Sequence, residues 1–411
     1  MRRVLASWSA IICVGAFVAL FTSSYAAAAQ SNLTTAILAP KPPVQPGPTN
    51  LSLKQMIEQG SQLLQQHKPL QAETVFYDAS LRYPNNYPLE MTLASIALEN
   101  GHYPRALEAT DSALNINEQS EAAYGLRAGI YAEMKDYKRA YRDIETAISL
   151  APNVPELYKQ AGDIAFNSSH FHEAIKNYTL ALGFDPFQPE VHLALGDAYE
   201  QADMHAQAVN EYSSGIYLLK QDKPAPASPT AKLLQQTELS RAVSLAGLKD
   251  YNSALAIADK QLELAPKSET IISTVAQIKD MAGDHSAAVQ LYLKALALKP
   301  KDAIVWGNLG WAQYEEGLYK EALGSSNRAL LIDGSLSYVQ YNKGLVYAVQ
   351  GDGRDALETY KLAIAHSGPS DIESGLHDVR KAILKHGSSP VLKQALQLLS
   401  TARNKALGLP N

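Results

Sequence analysis

Alanine returns at one position nine times: Ala72, Ala106, Ala140, Ala174 and Ala208, then Ala254, Ala288, Ala322 and Ala356, always 34 residues apart except for one step of 46. A fixed period of about 20 to 50 residues constrains a fold more than any composition does, because it marks one supersecondary unit used repeatedly. A second series of small residues keeps the same spacing: Gly60, Ala94, Ala128, Gly162, Gly196, Ala242, Ala276, Gly310 and Gly344. Units of 34 positions therefore begin at Leu53, Tyr87, Glu121, Pro155, Pro189, Gln235, Glu269, Ala303 and Ser337, with the small residues at positions 8 and 20.

Within a unit, apolar residues at positions 4, 7, 8 and 11, such as Tyr158, Ala161, Gly162 and Ala165, fall on one face of a helix. A second stripe runs through positions 20, 24 and 27. The pattern predicts two helices per unit, separated by a turn near positions 15 to 17, with small residues where the helices cross closely. One hairpin cannot cover its own apolar face, so the hairpins must stack.

The period, the small-residue series and proline at position 32 (Pro84, Pro152, Pro186, Pro266 and Pro300) resemble the tetratricopeptide repeat over residues 53–370. The resemblance implies an all-α, right-handed α-solenoid of helical hairpins. It also implies a partner groove lined by positions 2, 5, 6, 9, 12 and 13 of the first helices. Departures are visible: the unit at 303 has Gln313, Ser326 and Gly334 at usually aromatic or proline positions, and the unit at 235 has Gln261 at a small one.

Residues 53–222 hold five units and 235–370 hold four. The insertion between them, 223–234, carries Pro224, Pro226 and Pro229, which forbid one continuous helix. Ser228 followed by Pro229 reads as an N-cap with proline at the first helical position, so the next helix should start early and run to about Gly247. After 370 the register fails, and residues 371–411 are expected to form capping helices, one opening with a capping box at Ser370–Glu373 and one with Ser389–Pro390.

Residues 1–29 read as an export signal: Arg2 and Arg3, an apolar Ile11–Phe21, and the small run Ala26–Ala29, with cleavage after Ala29. Residues 4–21 are uncharged and long enough to serve instead as an inner-membrane anchor. Residues 30–52, with five prolines between Pro40 and Pro48, read as a stiff tether. The lone cysteine, Cys13, lies in the signal, so the cleaved chain has no disulfide, thiolate or cysteine metal site. A net charge of −5 without a basic run argues against nucleic acid.

The repeats leave no room for a separate catalytic domain, and no phosphate loop, zinc-peptidase helix or nucleophile elbow occurs. A non-enzymatic adaptor without cofactors, exported to a bacterial periplasm and holding a protein or peptide, is therefore expected. The alternatives are a scaffold in an exopolysaccharide or cellulose export assembly and a regulatory subunit of an enzyme. His170 and His172 lie in a turn without a third ligand. The carboxylate clamp of chaperone-binding repeats is not matched, because the one cation at position 5, Lys159, shares its unit with Asp163 at position 9.

Two groove clusters stand out. Trp311, Tyr314, Tyr338 and Tyr341 occupy groove positions of the last two units. Asn308 and Asn342, both at position 6, resemble a short asparagine ladder of the kind by which the repeats of O-linked N-acetylglucosamine transferase hold peptide backbone, an amide offering both donor and acceptor. Aromatic clusters are enriched at interfaces. The second cluster is acidic, Glu156, Asp163, Glu190, Asp197 and Glu200 with Lys159, and would steer a basic segment.

Overall fold

The computed structural model describes residues 51–409 except 222, 226 and 227. The export signal, the possible anchor at 4–21, Cys13 and the tether up to residue 50 lie outside the described residues. All regular structure among the described residues is helical. The chain forms two compact bodies, one ending at Ala198 and one beginning at Tyr199.

The first body contains the hairpins α1 (Leu53–Gln65)/α2 (Pro69–Arg82), α3 (Tyr87–Glu99)/α4 (Tyr103–Ile116), α5 (Glu121–Glu133)/α6 (Tyr137–Leu150) and α7 (Pro155–Asn167)/α8 (Phe171–Phe184). Helix α9 (Pro189–Gln201) contains the division between the bodies. The second body continues with α10 (His205–Gln221), then α11 (Pro229–Gly247)/α12 (Tyr251–Leu264), α13 (Glu269–Met281)/α14 (His285–Leu298), α15 (Ala303–Glu315)/α16 (Tyr319–Ile332) and α17 (Ser337–Gln350)/α18 (Gly353–Ala365). Helices α19 (Pro369–His386) and α20 (Pro390–Ala406) complete it. In each hairpin the first helix is called A and the second B.

Sterics explain the small series at position 8. A Cβ on Gly60 would lie 2.5 Å from the Phe76 ring, and one on Gly162 would lie 2.5 Å from the Tyr178 ring, in both cases the residue at position 24 of the same unit. A large B-helix ring is thus seated against bare A-helix backbone. The turn has its own rule: position 15 is left-handed in all nine units. Glycine supplies it at Gly101, Gly283, Gly317 and Gly351, while His67, Lys135, Ser169, Asp203 and Lys249 adopt it with a side chain. That conformation costs a non-glycine residue roughly 1–2 kcal/mol.

Position 4 is tied to the preceding unit. The Tyr158 hydroxyl donates to the Pro152 carbonyl at 2.8 Å and the Trp306 indole N–H to the Pro300 carbonyl at 2.9 Å. His192 Nε2 lies 3.1 Å from the Pro186 carbonyl. Each acceptor is the proline six residues upstream, so a polar-tipped ring at 4 and proline at 32 form one device. In four units positions 12 and 17 meet across the hairpin. They pair as rings in Phe166–Phe171 and Tyr314–Tyr319, and as acid with histidine in Glu200–His205 (3.0 Å) and Asp280–His285 (2.6 Å).

Helix α11 starts at Pro229, with Ser228 Oγ accepting the Ala231 N–H at 3.1 Å, as the Ser-Pro pair predicts. Ser389 caps α20 in the same way through the Leu392 N–H. The start of α19 differs from expectation. Gly368 is its N-cap, Pro369 its first residue, and Asp371 rather than Glu373 accepts the cap N–H, at 3.4 Å. Both helices close the end of the stack, on different surfaces: α20 packs against α18, whereas α19 lies along α17.

Candidate partner-binding faces

Helix α19 decides the fate of the aromatic cluster. Trp311 is 8% exposed and Tyr314 and Tyr341 are 4% exposed, and all three belong to one apolar core with Ile372, Leu376 and Val379 of α19. Close approach is possible because residue 375 is glycine: a Cβ there would lie 2.6 Å from the Tyr341 ring. The Tyr341 hydroxyl is paired with Ser367 Oγ at 2.7 Å. Lys381 Nζ stands 5.6 Å over the Trp311 ring and Lys385 Nζ 6.0 Å over Tyr314, the geometry of cation–π pairs.

Both lysines converge on Glu315, at 2.7 and 3.0 Å. Burial works against the Glu315 charge, but these hydrogen bonds prevail and hold its carboxyl below the ordinary range. Asn308 and Asn342 are also buried, and the Asn342 Nδ2 has no hydrogen-bond partner, so neither amide is presented outward. Tyr338 is half-buried, its hydroxyl close over Gly307. The expected aromatic groove of Asn308, Trp311, Tyr314, Tyr338, Tyr341 and Asn342 is therefore brought together, but as an internal interface rather than an open site.

The acidic cluster is dispersed. Glu156 and Glu190 are exposed. Asp163 is engaged by Lys159 at 2.7 Å and by the Tyr178 hydroxyl at 2.8 Å, so the pair largely cancels its own charge. Asp197 is half-buried in the first body. Glu200, in the second body, is buried and accepts from Ser244 Oγ at 2.6 Å while facing His205. It closes a hairpin and has no free charge to steer a ligand.

A face that residue chemistry did not single out remains accessible in the first body. On α3, Thr92 and Ser95 are exposed and Met91 is half-buried; on α5, Ala122 is exposed and Leu126 and Gly129 are half-buried. These are groove positions 2, 5, 6 and 9. Thr92 and Ser95 turn their hydroxyls back to the Pro88 and Met91 carbonyls, and Gln160 Nε2 donates to the Gly125 carbonyl at 2.7 Å. Gly125 and Gly129 give α5 a low floor against which a Cβ would meet the Gln160 amide at 3.2 to 3.3 Å. Glu99 and Glu133, at groove position 13 of α3 and α5, and Glu156 and Glu190, at position 2 of α7 and α9, are also exposed. The readable signal was the four-residue glycine spacing, which no aromatic or charged motif flagged.

Among the described residues no group of three or more His, Cys, Asp or Glu is placed to hold a metal ion, and no helix is long and apolar enough to cross a membrane.

Three segments match tetratricopeptide-repeat family models, at residues 63–130, 121–154 and 280–337. No curated protein matches the sequence. Among solved structures the chain is similar to MamA of Desulfovibrio magneticus RS-1, with 19% identity, 42% of this chain and 97% of that one covered, and a TM-score of 0.38. It is also similar to PilF of Pseudomonas aeruginosa, with 18% identity, 55% and 97% covered, and a TM-score of 0.43. A third is YrrB, described as a tetratricopeptide-repeat protein with an unusual peptide-binding site, with 16% identity, 48% and 95% covered, and a TM-score of 0.38. Nine units on a 34-residue period, each helix starting at position 1 or 17 save the early start of α11, and three matching family segments make this chain a tetratricopeptide-repeat protein.

Proposed function

We propose that this is a non-enzymatic adaptor, exported to a bacterial periplasm, which holds an extended, basic segment of a partner polypeptide along the A helices α3, α5 and α7. The observation that carries the reading is the contrast between the two bodies. At groove positions Thr92, Ser95 and Ala122 are exposed and Met91, Leu126 and Gly129 half-buried on α3 and α5, whereas Gly307, Asn308, Trp311, Tyr314, Tyr341 and Asn342 are buried on α15 and α17. Thr92, Ser95, Ala122 and Gly129 are short enough for a second backbone to approach between Met91 and Leu126, and the exposed glutamates of these A helices, Glu99, Glu133 and Glu156, favour a cationic segment through long-range attraction. Export rests on the basic start, apolar middle and alanine run of residues 1–29.

The test is recovery of partners from periplasmic extract with the mature chain and with a Glu133→Lys/Glu156→Lys variant at two ionic strengths. The reading expects a partner that is lost in the variant and weakened by salt. Equal recovery by both proteins would rule out this face.

A further inference from the structure

Position 13 holds a glutamate in three units, as Glu99 on α3, Glu133 on α5 and Glu315 on α15. The third shows what such a glutamate does when a segment lies across its A helix. The Glu315 carboxylate accepts from Lys381 Nζ at 2.7 Å and from Lys385 Nζ at 3.0 Å, and its side chain is only 6% exposed. Position 13 there faces α19 and takes its cations.

Glu99 and Glu133 stand on adjacent A helices and are exposed. The placement of Glu133 matches that of Glu315, because each acts on position 17 of the preceding unit. Glu133 adds to the upward push that burial gives the Tyr103 hydroxyl, and Glu315 adds to the larger one that the Asp280 hydrogen bond gives His285. Among the described residues no lysine or arginine forms an ion pair with Glu99 or Glu133. The chain thus presents the acid of the Glu315 arrangement twice more, in neighbouring units, without a lysine of its own opposite it.

We propose that Glu99 and Glu133 determine what the α3/α5 face selects: an extended segment with two lysine or arginine residues three apart, one for each glutamate. This rests on the reading of that face given above and adds a spacing to it. Neighbouring helices lie about 8–10 Å apart. A polyproline II segment advances about 3.1 Å per residue and repeats its side every three residues. Cations at i and i+3 therefore project from one side about 9 Å apart, in register with the two acids. Cations at i and i+1 fall on different sides, and one of them stays in water.

Fluorescence anisotropy at low ionic strength tests this on the full mature chain. The probes are two short labelled peptides of equal composition, one containing Lys-Ser-Ser-Lys and the other Ser-Lys-Lys-Ser. The spaced peptide should bind about two- to fivefold more tightly, the effect of one additional exposed ion pair. Glu99→Gln and Glu133→Gln should each remove that preference, whereas Glu156→Gln should weaken both peptides alike. Glu315→Gln should leave the preference unchanged, because its acid already holds Lys381 and Lys385. Equal affinities in the native chain, with both peptides lost in Glu133→Lys/Glu156→Lys, would overturn the spacing and leave the face in place. No binding of either peptide would overturn both. A preference that survives Glu99→Gln and Glu133→Gln would belong to other residues and would also overturn the proposal.

Discussion

Replacing Gly375 by alanine sets helix preference against packing at the contact that closes the aromatic face. In an unconstrained helix interior the change favours folding by about 0.5–1 kcal/mol. Here the new methyl would lie 2.6 Å from Tyr341 Cδ1, 3.0 Å from Cε1 and 3.3 Å from Cγ, whereas ordinary contact begins near 3.4 Å. The ring has little room to yield, being held by the Ser367 hydrogen bond at 2.7 Å and by Tyr360 with ring centroids 6.2 Å apart. Overpacking of this kind costs about 1–3 kcal/mol. The net expectation is destabilisation of α19 by about 1–2 kcal/mol, a roughly five- to thirtyfold rise in its opening constant by hydrogen exchange. Gly324→Ala on α16 is the control, since no atom lies within 4 Å of where its methyl would stand and helix preference alone should act. If both substitutions stabilised equally, α19 would not be pressed on Tyr341 and the account of the buried aromatics would fail.

Three further outcomes follow from the same geometry. Ser169→Gly relieves a left-handed residue at φ 62° in a position where four other units have glycine, and chemical denaturation should show a gain of about 1 kcal/mol. His205 and His285 are raised above 6.5 chiefly by hydrogen bonds to Glu200 and Asp280, so the stability they contribute is complete below pH 6.5 and lost as pH rises through the folded values. Thermal melts from pH 5 to 9 should show a decline that His205→Gln/His285→Gln flattens. Finally, N-terminal sequencing of protein recovered from the periplasm should begin at Gln30. An N-terminus retaining residues 4–21 in the membrane fraction would show an anchor instead.

The hairpins were legible because their causes are local and recur. Position 8 is small because position 24 of the same unit presses on it, and position 15 turns left-handed within one loop. Even the early start of α11 was written in two adjacent residues, Ser228 and Pro229. What escaped was decided across long separations. Nothing near Trp311 announces that Lys381 will lie over it or that Leu376 and Val379 will share its core, because periodicity ends at residue 370 and says nothing about where a non-repeating helix docks. The hints lay in α19 itself: lysines four apart and a glycine in mid-helix. Glu200 misleads for a related reason, since its groove position is also position 12, whose partner at 17 happens to be a histidine. At the start of α19 two local signals compete, and the Gly-Pro pair at 368–369 prevails over the Ser-x-x-Glu spacing just after it.

Photo-crosslinking separates the accessible face from the closed one most directly. A crosslinking amino acid at Ser95 or at Gly129 in the full mature chain should capture a periplasmic polypeptide, while the same group at Trp311 should react within the chain, with α19. Capture of a foreign polypeptide at position 311, with none at 95 or 129, would contradict the account.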